Sequence, residues 1–224
     1  MADSEDRKII VRKNGPYAVC GDVPLVRKEP VMSEHGEPLT WKRGEVLTTR
    51  TNYVLCRCGQ SGSRPFCDGT HEDIDFDGTE TTETADTSDR TSTYKGQSLV
   101  VKDDRSLCMH AGFCGNRATN VWKMVPDTGD TQVRAQVMAM VERYPSGALS
   151  FDLDPAGENL EPSLPKEIAV TPGGALWVSG GIPIERNDGK AFEIRNRVTL
   201  CRCGHSSKKP LCDGTHKEIG FTDA

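Results

Sequence analysis

Two near-copies of a sixteen-residue string concentrate the reactive side chains: CRCGQSGSRPFCDGTH from Cys56 to His71 and CRCGHSSKKPLCDGTH from Cys201 to His216. Together they hold six of the nine cysteines and two of the five histidines. Within each copy the four donors are separated by one, eight and three residues, so three thiols and one imidazole share a short loop. Such a set takes zinc as a closed tetrahedral site, or a 2Fe-2S cluster with two ligands on each iron. Structural zinc knuckles usually space their thiolates by about two to four residues. Here the loop offers two pairs, Cys56 with Cys58 and Cys67 with His71, then Cys201 with Cys203 and Cys212 with His216. A two-iron rhomb needs two pairs.

The elements that position these donors are short. Pro65 and Pro210 stiffen the approach to the second pair. Asp68-Gly69 and Asp213-Gly214 stand where a helix is expected to begin, with the Asp side chain capping exposed amides that face the sulfurs. On that reading Cys67 and His71, and likewise Cys212 and His216, lie one turn apart on one helical face. After each His comes an x-x-Ile-x-Phe tail, Ile74 with Phe76 and Ile219 with Phe221, expected to fold apolar weight back over the site or to pack in the core.

The repeat extends beyond the loops. Val11, Gly15, Val19, Gly21, Pro24 and Leu25 match Val170, Gly174, Val178, Gly180, Pro183 and Ile184 at one constant offset. Between that block and the first loop about fourteen extra residues stand around Met32 to Trp41, an insertion expected in a surface loop. Runs at Lys8–Arg12, Tyr17–Cys20, Tyr53–Leu55, Leu176–Ser179 and Val198–Leu200 lean to β and are bounded by turn residues. The acidic, Thr-rich stretch from Glu72 to Thr93 has too little apolar content after Phe76 to order itself by burial. A third segment follows, with a strand near Ser98 to Val101, a cysteine loop LCMHAGFC, and a helix expected over 131–143 that puts Val133, Val137, Met140 and Val141 on one face before Pro145 ends it. Pro155, Pro162 and Pro165 mark a second connection.

The expected fold is mainly β with small α content: two halves in a pseudo-twofold β-rich body, plus a small α+β insertion. The boundaries are a first half over 1–78, an acidic linker over 79–93, a middle segment over 94–153, a Pro-rich linker over 154–166 and a second half over 167–224.

Composition narrows the function classes. The chain has 224 residues and a formal charge of −5. Its basic residues are scattered, which argues against a nucleic-acid partner. No apolar stretch approaches a bilayer span, and the N-terminal MADSEDRKII lacks a hydrophobic signal core, so a cytoplasmic protein without membrane contact is expected. Nine cysteines in a reducing compartment read as metal ligands rather than disulfides. No nucleotide-binding glycine loop, acid/base pair or nucleophile motif stands out, and no catalytic activity is expected.

Both strings resemble the CDGSH iron-sulfur family, the mitoNEET-like proteins, including Ser61 and Ser206, Pro65 and Pro210, and the closing Cys-Asp-Gly-x-His. Thr70 and Thr215 replace the Ser of the family's name. The resemblance implies two 2Fe-2S clusters, one on Cys56, Cys58, Cys67 and His71 and one on Cys201, Cys203, Cys212 and His216. It also implies electron transfer or cluster transfer to a redox or apo-iron-sulfur partner. Single-motif members are homodimers, and two halves in one chain supply that pairing internally, so a monomer is expected. Replacing one thiolate by neutral imidazole removes a negative charge and raises the expected potential above the roughly −400 mV of plant-type ferredoxins. Two rival readings are a structural zinc-binding interaction module and a redox enzyme subunit.

The middle segment resembles the divergent one-cluster ferredoxin-like domain through Cys108, Cys114 and the Tyr144-Pro145-Ser146-Gly147 turn. That family carries a cysteine where Tyr144 stands, so a scaffold without a cluster is expected, with His110 solvated. Cys20, matched by Ser179, is expected to be small buried packing, and His205 polar surface. Lys208 and Lys209 are candidates to attract an acidic partner or to be a solvated basic patch. His35 carries no motif.

Overall fold

The computed structural model describes residues 7–153, 157 and 159–223. The first six residues of the stretch read for a signal core, and Asp154, Pro155, Ala156 and Glu158 of the second connection, lie outside them. Strands dominate. The first half contributes β1 (Lys8–Val11), β2 (Tyr17–Cys20), β3 (Leu25–Met32), β4 (Pro38–Leu47) and β5 (Tyr53–Leu55). The middle contributes β6 (Ser92–Lys95), β7 (Val100–Asp103), β8 (Leu149–Asp152) and β9 (Asn159–Leu160). The second half contributes β10 (Glu167–Val170), β11 (Leu176–Ser179), β12 (Ile184–Glu185) and β13 (Arg197–Leu200).

The halves exchange strands. One sheet runs β12-β1-β2-β5 and another β13-β11-β10-β3-β4, so each half lends its third strand to the other's sheet. Ile9 pairs in parallel with Ile184, and Ile168 pairs in parallel with Leu25. These four residues are two matched pairs of the repeat, so the two crossings are pseudo-twofold copies of each other. Ile9, Val11, Val19, Leu25 and Leu55, with Ile168, Val170, Val178 and Leu200, are buried in the resulting core. Each such side chain contributes about 1.5–3 kcal/mol by leaving water.

The inserted residues do not form a loose loop. They lengthen the third strand and add a partner, β3 and β4 being neighbours in the sheet and joined by a tight turn in which Ser33 and Glu37 exchange a backbone hydrogen bond of 2.8 Å. The described residues fall into two compact units, one from 7–29, 43–84 and 164–223, the other from 30–42, 85–153, 157 and 159–163. The tip of the hairpin belongs to the second unit, where the Trp41 ring stacks on Phe113 at 5.0 Å and its Nε1 donates to the Arg143 carbonyl.

That second unit holds the sheet β6-β7-β8-β9 and a helix over Thr131–Glu142. Asp130 caps this helix through its side chain, which accepts from the amides of Gln132 and Val133, and Val137 and Val141 are buried. The helix and its stop before Pro145 match the periodicity. Among the described residues no helix is long and apolar enough to cross a membrane.

Residues 79–84 are held rather than tethering freely. The amides of Thr81 and Thr82 donate to the Lys209 carbonyl at 2.8 and 3.1 Å, and Thr81 Oγ1 donates to the Ser207 carbonyl. Arg186, whose side chain is fully buried, clamps the segment by reaching the Glu80 carboxylate, the Thr82 carbonyl and Asp188.

Candidate metal centre

Each donor string follows the last strand of its half and folds back on it. Cys56 N donates to the Pro65 carbonyl and Cys67 N to Val54, while Cys201 N donates to Pro210 and Cys212 N to Thr199. The turn is braced from inside. Ser61 Oγ donates to the Phe66 carbonyl at 2.7 Å and Ser206 Oγ to Leu211 at 2.6 Å. Asp68 accepts from the amides of Gly62 and Thr70, and Asp213 from those of Ser207 and Thr215. The aspartate therefore ties the loop to itself, as well as capping the amide beyond it.

The four donors gather as two pairs in each loop. Cys56 and Cys58 place their sulfurs 3.8 Å apart, and Cys67 Sγ lies 3.4 Å from His71 Nδ1. In the second loop the matching distances are 3.8 Å for Cys201 with Cys203 and 3.2 Å for Cys212 with His216 Nδ1. Two sulfurs bound at about 2.3 Å to one tetrahedral metal stand about 3.8 Å apart, so each dithiol spans one edge of such a metal. Among the described residues no three or more His, Cys, Asp or Glu side chains converge tightly enough to hold one ion. The helix starts later than the spacing suggests. It covers Thr70–Asp73 and Thr215–Glu218, so Cys67 and Cys212 precede it, and a left-handed Gly69 or Gly214 turns the chain between the thiol and the imidazole.

The electrostatics suit a cation. The hydrogen bond from Cys58, helped by the amides of Ser61, Gly59 and Cys58 and opposed by burial, draws the Cys56 thiol down to about 6, and the Gly59 amide points at its sulfur from 3.3 Å. The same pairing pushes Cys58 upward. Cys201, with its Cys203 partner, also falls to about 6, and Cys203 rises. Burial raises Cys67 and pushes Cys212 up to about 12. Buried thiols that resist ionisation become thiolates when a metal offsets the lost hydration, so the donor set fits an iron or zinc group.

One arginine that spacing did not single out lies buried in each loop. Arg57 and Arg202, the residues between the first two cysteines of each loop, are 1% exposed. Arg57 donates to the carbonyls of Arg12 and Gly78 and lies over the rings of Tyr17 and Phe76. Arg202 donates to Gly174 and Thr171, pairs with Asp223 and lies over Phe221. The signal was the repeated CRC triplet together with the Phe of each tail. Phe76 packs with Cys56 and Cys58 as expected, whereas Ile74 and Ile219 are exposed.

The two loops meet each other. A Cβ on Gly59, whose φ is +80°, would stand 2.5 Å from the Cys203 carbonyl oxygen, and one on Gly204, φ +82°, would run into the Cys58 carbonyl. Tyr17 also crosses over, its hydroxyl donating to the carbonyls of Cys201 and Pro210 at 2.7 and 3.1 Å.

The remaining candidates are scattered. His205 and His35 are exposed. Lys209 reaches the loop carbonyls of Gly204 and Ser206, as Arg64 reaches Gly59, so it braces the loop. Cys20 is half-buried and lines a cavity instead of packing in the core. In the middle segment Cys108 is buried with its sulfur 3.1 Å from the Tyr144 hydroxyl, and His110 is exposed at φ +57°. Burial, followed by the Cys108 contact, raises the Tyr144 hydroxyl.

A family model described as an iron-binding zinc finger of CDGSH type matches residues 14–72 and 173–217. A second, described as a divergent 4Fe-4S mono-cluster, matches residues 94–154. No curated protein matches the chain.

Proposed function

From the premise that this chain carries two CDGSH-type iron-binding segments around one of the divergent mono-cluster kind, we propose that it holds two 2Fe-2S clusters and passes electrons, or the clusters themselves, to a protein partner. Cys56, Cys58, Cys67 and His71 hold the first, and Cys201, Cys203, Cys212 and His216 the second. The observation that carries this reading is the gathering of donors as two pairs in each loop, one pair for each iron. A 2Fe-2S cluster supplies one-electron exchange. The chain supplies the sulfur and nitrogen donors, a buried arginine that ties each loop to neighbouring carbonyls, and a serine-braced turn that fixes the donor spacing. On this reading the protein catalyses no reaction of its own, works as a monomer in the cytoplasm, and meets a redox or apo-iron-sulfur protein rather than nucleic acid.

The middle segment serves as a scaffold without a cluster. It contains two cysteines, one of them occupied by the Tyr144 hydroxyl, against the four ligands that a 4Fe-4S cluster takes. Iron, zinc and acid-labile sulfide measured on anaerobically purified protein test both statements, with about four irons per chain expected. Zinc in place of iron would replace the redox reading by a structural module. Substantially more iron would put a third cluster in the middle segment.

A further inference from the structure

The repeat invites a comparison of the same face in both halves, and at one position they part. Ala18 in β2 pairs with Ile10 and Val54, and its match Trp177 in β11 pairs with Ala169 and Thr199 at the corresponding register. Trp177 is buried with the Lys28 ammonium 4.2 Å above its ring, and Lys28 is itself fixed by Glu167 at 2.8 Å. That face of the second half is closed. In the first half the alanine borders a cavity of about 590 Å³, within the range of roughly 300–1,000 Å³ that small-molecule sites occupy. The cavity is therefore a departure of one half from a shared framework, and the framework itself accepts a bulky ring at that register.

We propose that this cavity is a binding site for a flat aromatic molecule bearing an anionic group. Ala18, Val54, Tyr53 and Phe66 give it apolar and aromatic walls, the two rings standing edge to face at 6.3 Å. The Tyr53 hydroxyl donates to the Val23 carbonyl, which holds the ring in place as a wall. Arg12 and Arg50, both exposed, line the same cavity, and a guanidinium both pairs with an anion and stacks on an aromatic plane. Apolar walls with two positive charges at the rim select for a ring system with a carboxylate, sulfonate or phosphate and against a neutral or cationic one. Phe66 immediately precedes Cys67, so the occupant sits beside the first loop. The site stands on packing and charge and does not depend on which metal the loops hold.

Isothermal titration of the full-length protein with anthraquinone-2-sulfonate tests it. Saturable binding with one site per chain is expected, weakened at least about tenfold by Ala18→Trp, which closes the first half as the second half is closed. Circular dichroism of that variant reports whether it folds. Where it does not, the double substitution Arg12→Gln with Arg50→Gln decides, with about a tenfold loss expected and 2-(hydroxymethyl)anthraquinone binding more weakly than the sulfonate to the parent. No binding by the parent below about 1 mM overturns the proposal. So does affinity unchanged in a folded Ala18→Trp protein or in the arginine double variant.

Discussion

The two donor loops share their ligands, braces and buried arginine, yet they are wrapped differently. His216 is 4% exposed and Cys212 is buried, whereas His71 and Cys67 are half-buried. The second loop carries the segment 79–84 along its Lys209 edge and receives the Tyr17 hydroxyl on two of its carbonyls. Leu176, which stands in the second half at the position matching Tyr17, offers the first loop no hydroxyl. A duplicated string fixes which atoms can bind, and the chain around it sets how readily they are reached. The first site is then expected to be the more readily reached by a chelator.

The contrast is erased most completely at the contact between the loops. Gly59→Ala or Gly204→Ala pushes a methyl into opposing backbone at a left-handed φ, costing about 3–5 kcal/mol and loosening both sites together. Thermal unfolding and visible absorbance per chain report it, and loss confined to the mutated loop would show that the loops are independent. Arg186→Ala strips the clamp from Glu80, a carboxylate whose side chain is only 3% exposed, at a cost of about 3 kcal/mol. Here the effect is one-sided. Metal release from the second site should speed up toward that of the first, measured by chelator colour in proteins retaining one site each through Cys67→Ser or Cys212→Ser.

Tyr17→Phe removes the donor shared by two buried carbonyls and should cost about 1–2 kcal/mol, again at the expense of the second site alone. Equal release from both sites in this variant would assign the crossing tyrosine no part in the difference. The smallest expected effect is acidic. The Arg186 hydrogen bond lowers Asp188 to about 2, so its stabilisation is full above the ordinary aspartate value near 3.9 and disappears as pH falls through about 2. Because Asp188 is exposed to solvent, the contribution is about 0.5 kcal/mol. Hydrogen exchange at the Thr81 and Thr82 amides should converge between parent and Asp188→Asn at the bottom of that window and differ at the top.

Local pattern made the pairing of side chains within each loop, the offset of the repeat, most strand edges and the helix before Pro145 readable from residues alone. Pairing of Ile9 with Ile184 was not, since nothing in either strand's alternation names its partner. Residues 79–84 escaped for a different reason. Their order comes from Thr81 and Thr82 amides and a buried arginine rather than from apolar burial, and composition weighs only the latter. The insertion around Met32 to Trp41 reads as loop because Gly and Pro mark a turn, yet that turn is the tip of a hairpin. The Ile residues of the two tails show the converse error: an apolar side chain next to a metal loop need not cover it.

The crossing of β12 into the first sheet also sets an order of events during synthesis. Ile184 leaves the ribosome long after Ile9, so the early half must wait, one edge open, for a strand made much later. The loop made first is thus finished late, and the nascent chain carries its first thiols unligated until that strand emerges. Loading of metal is expected to follow release of the full-length chain, and a culture starved of iron should accumulate an intact but cluster-free protein rather than a half-loaded one.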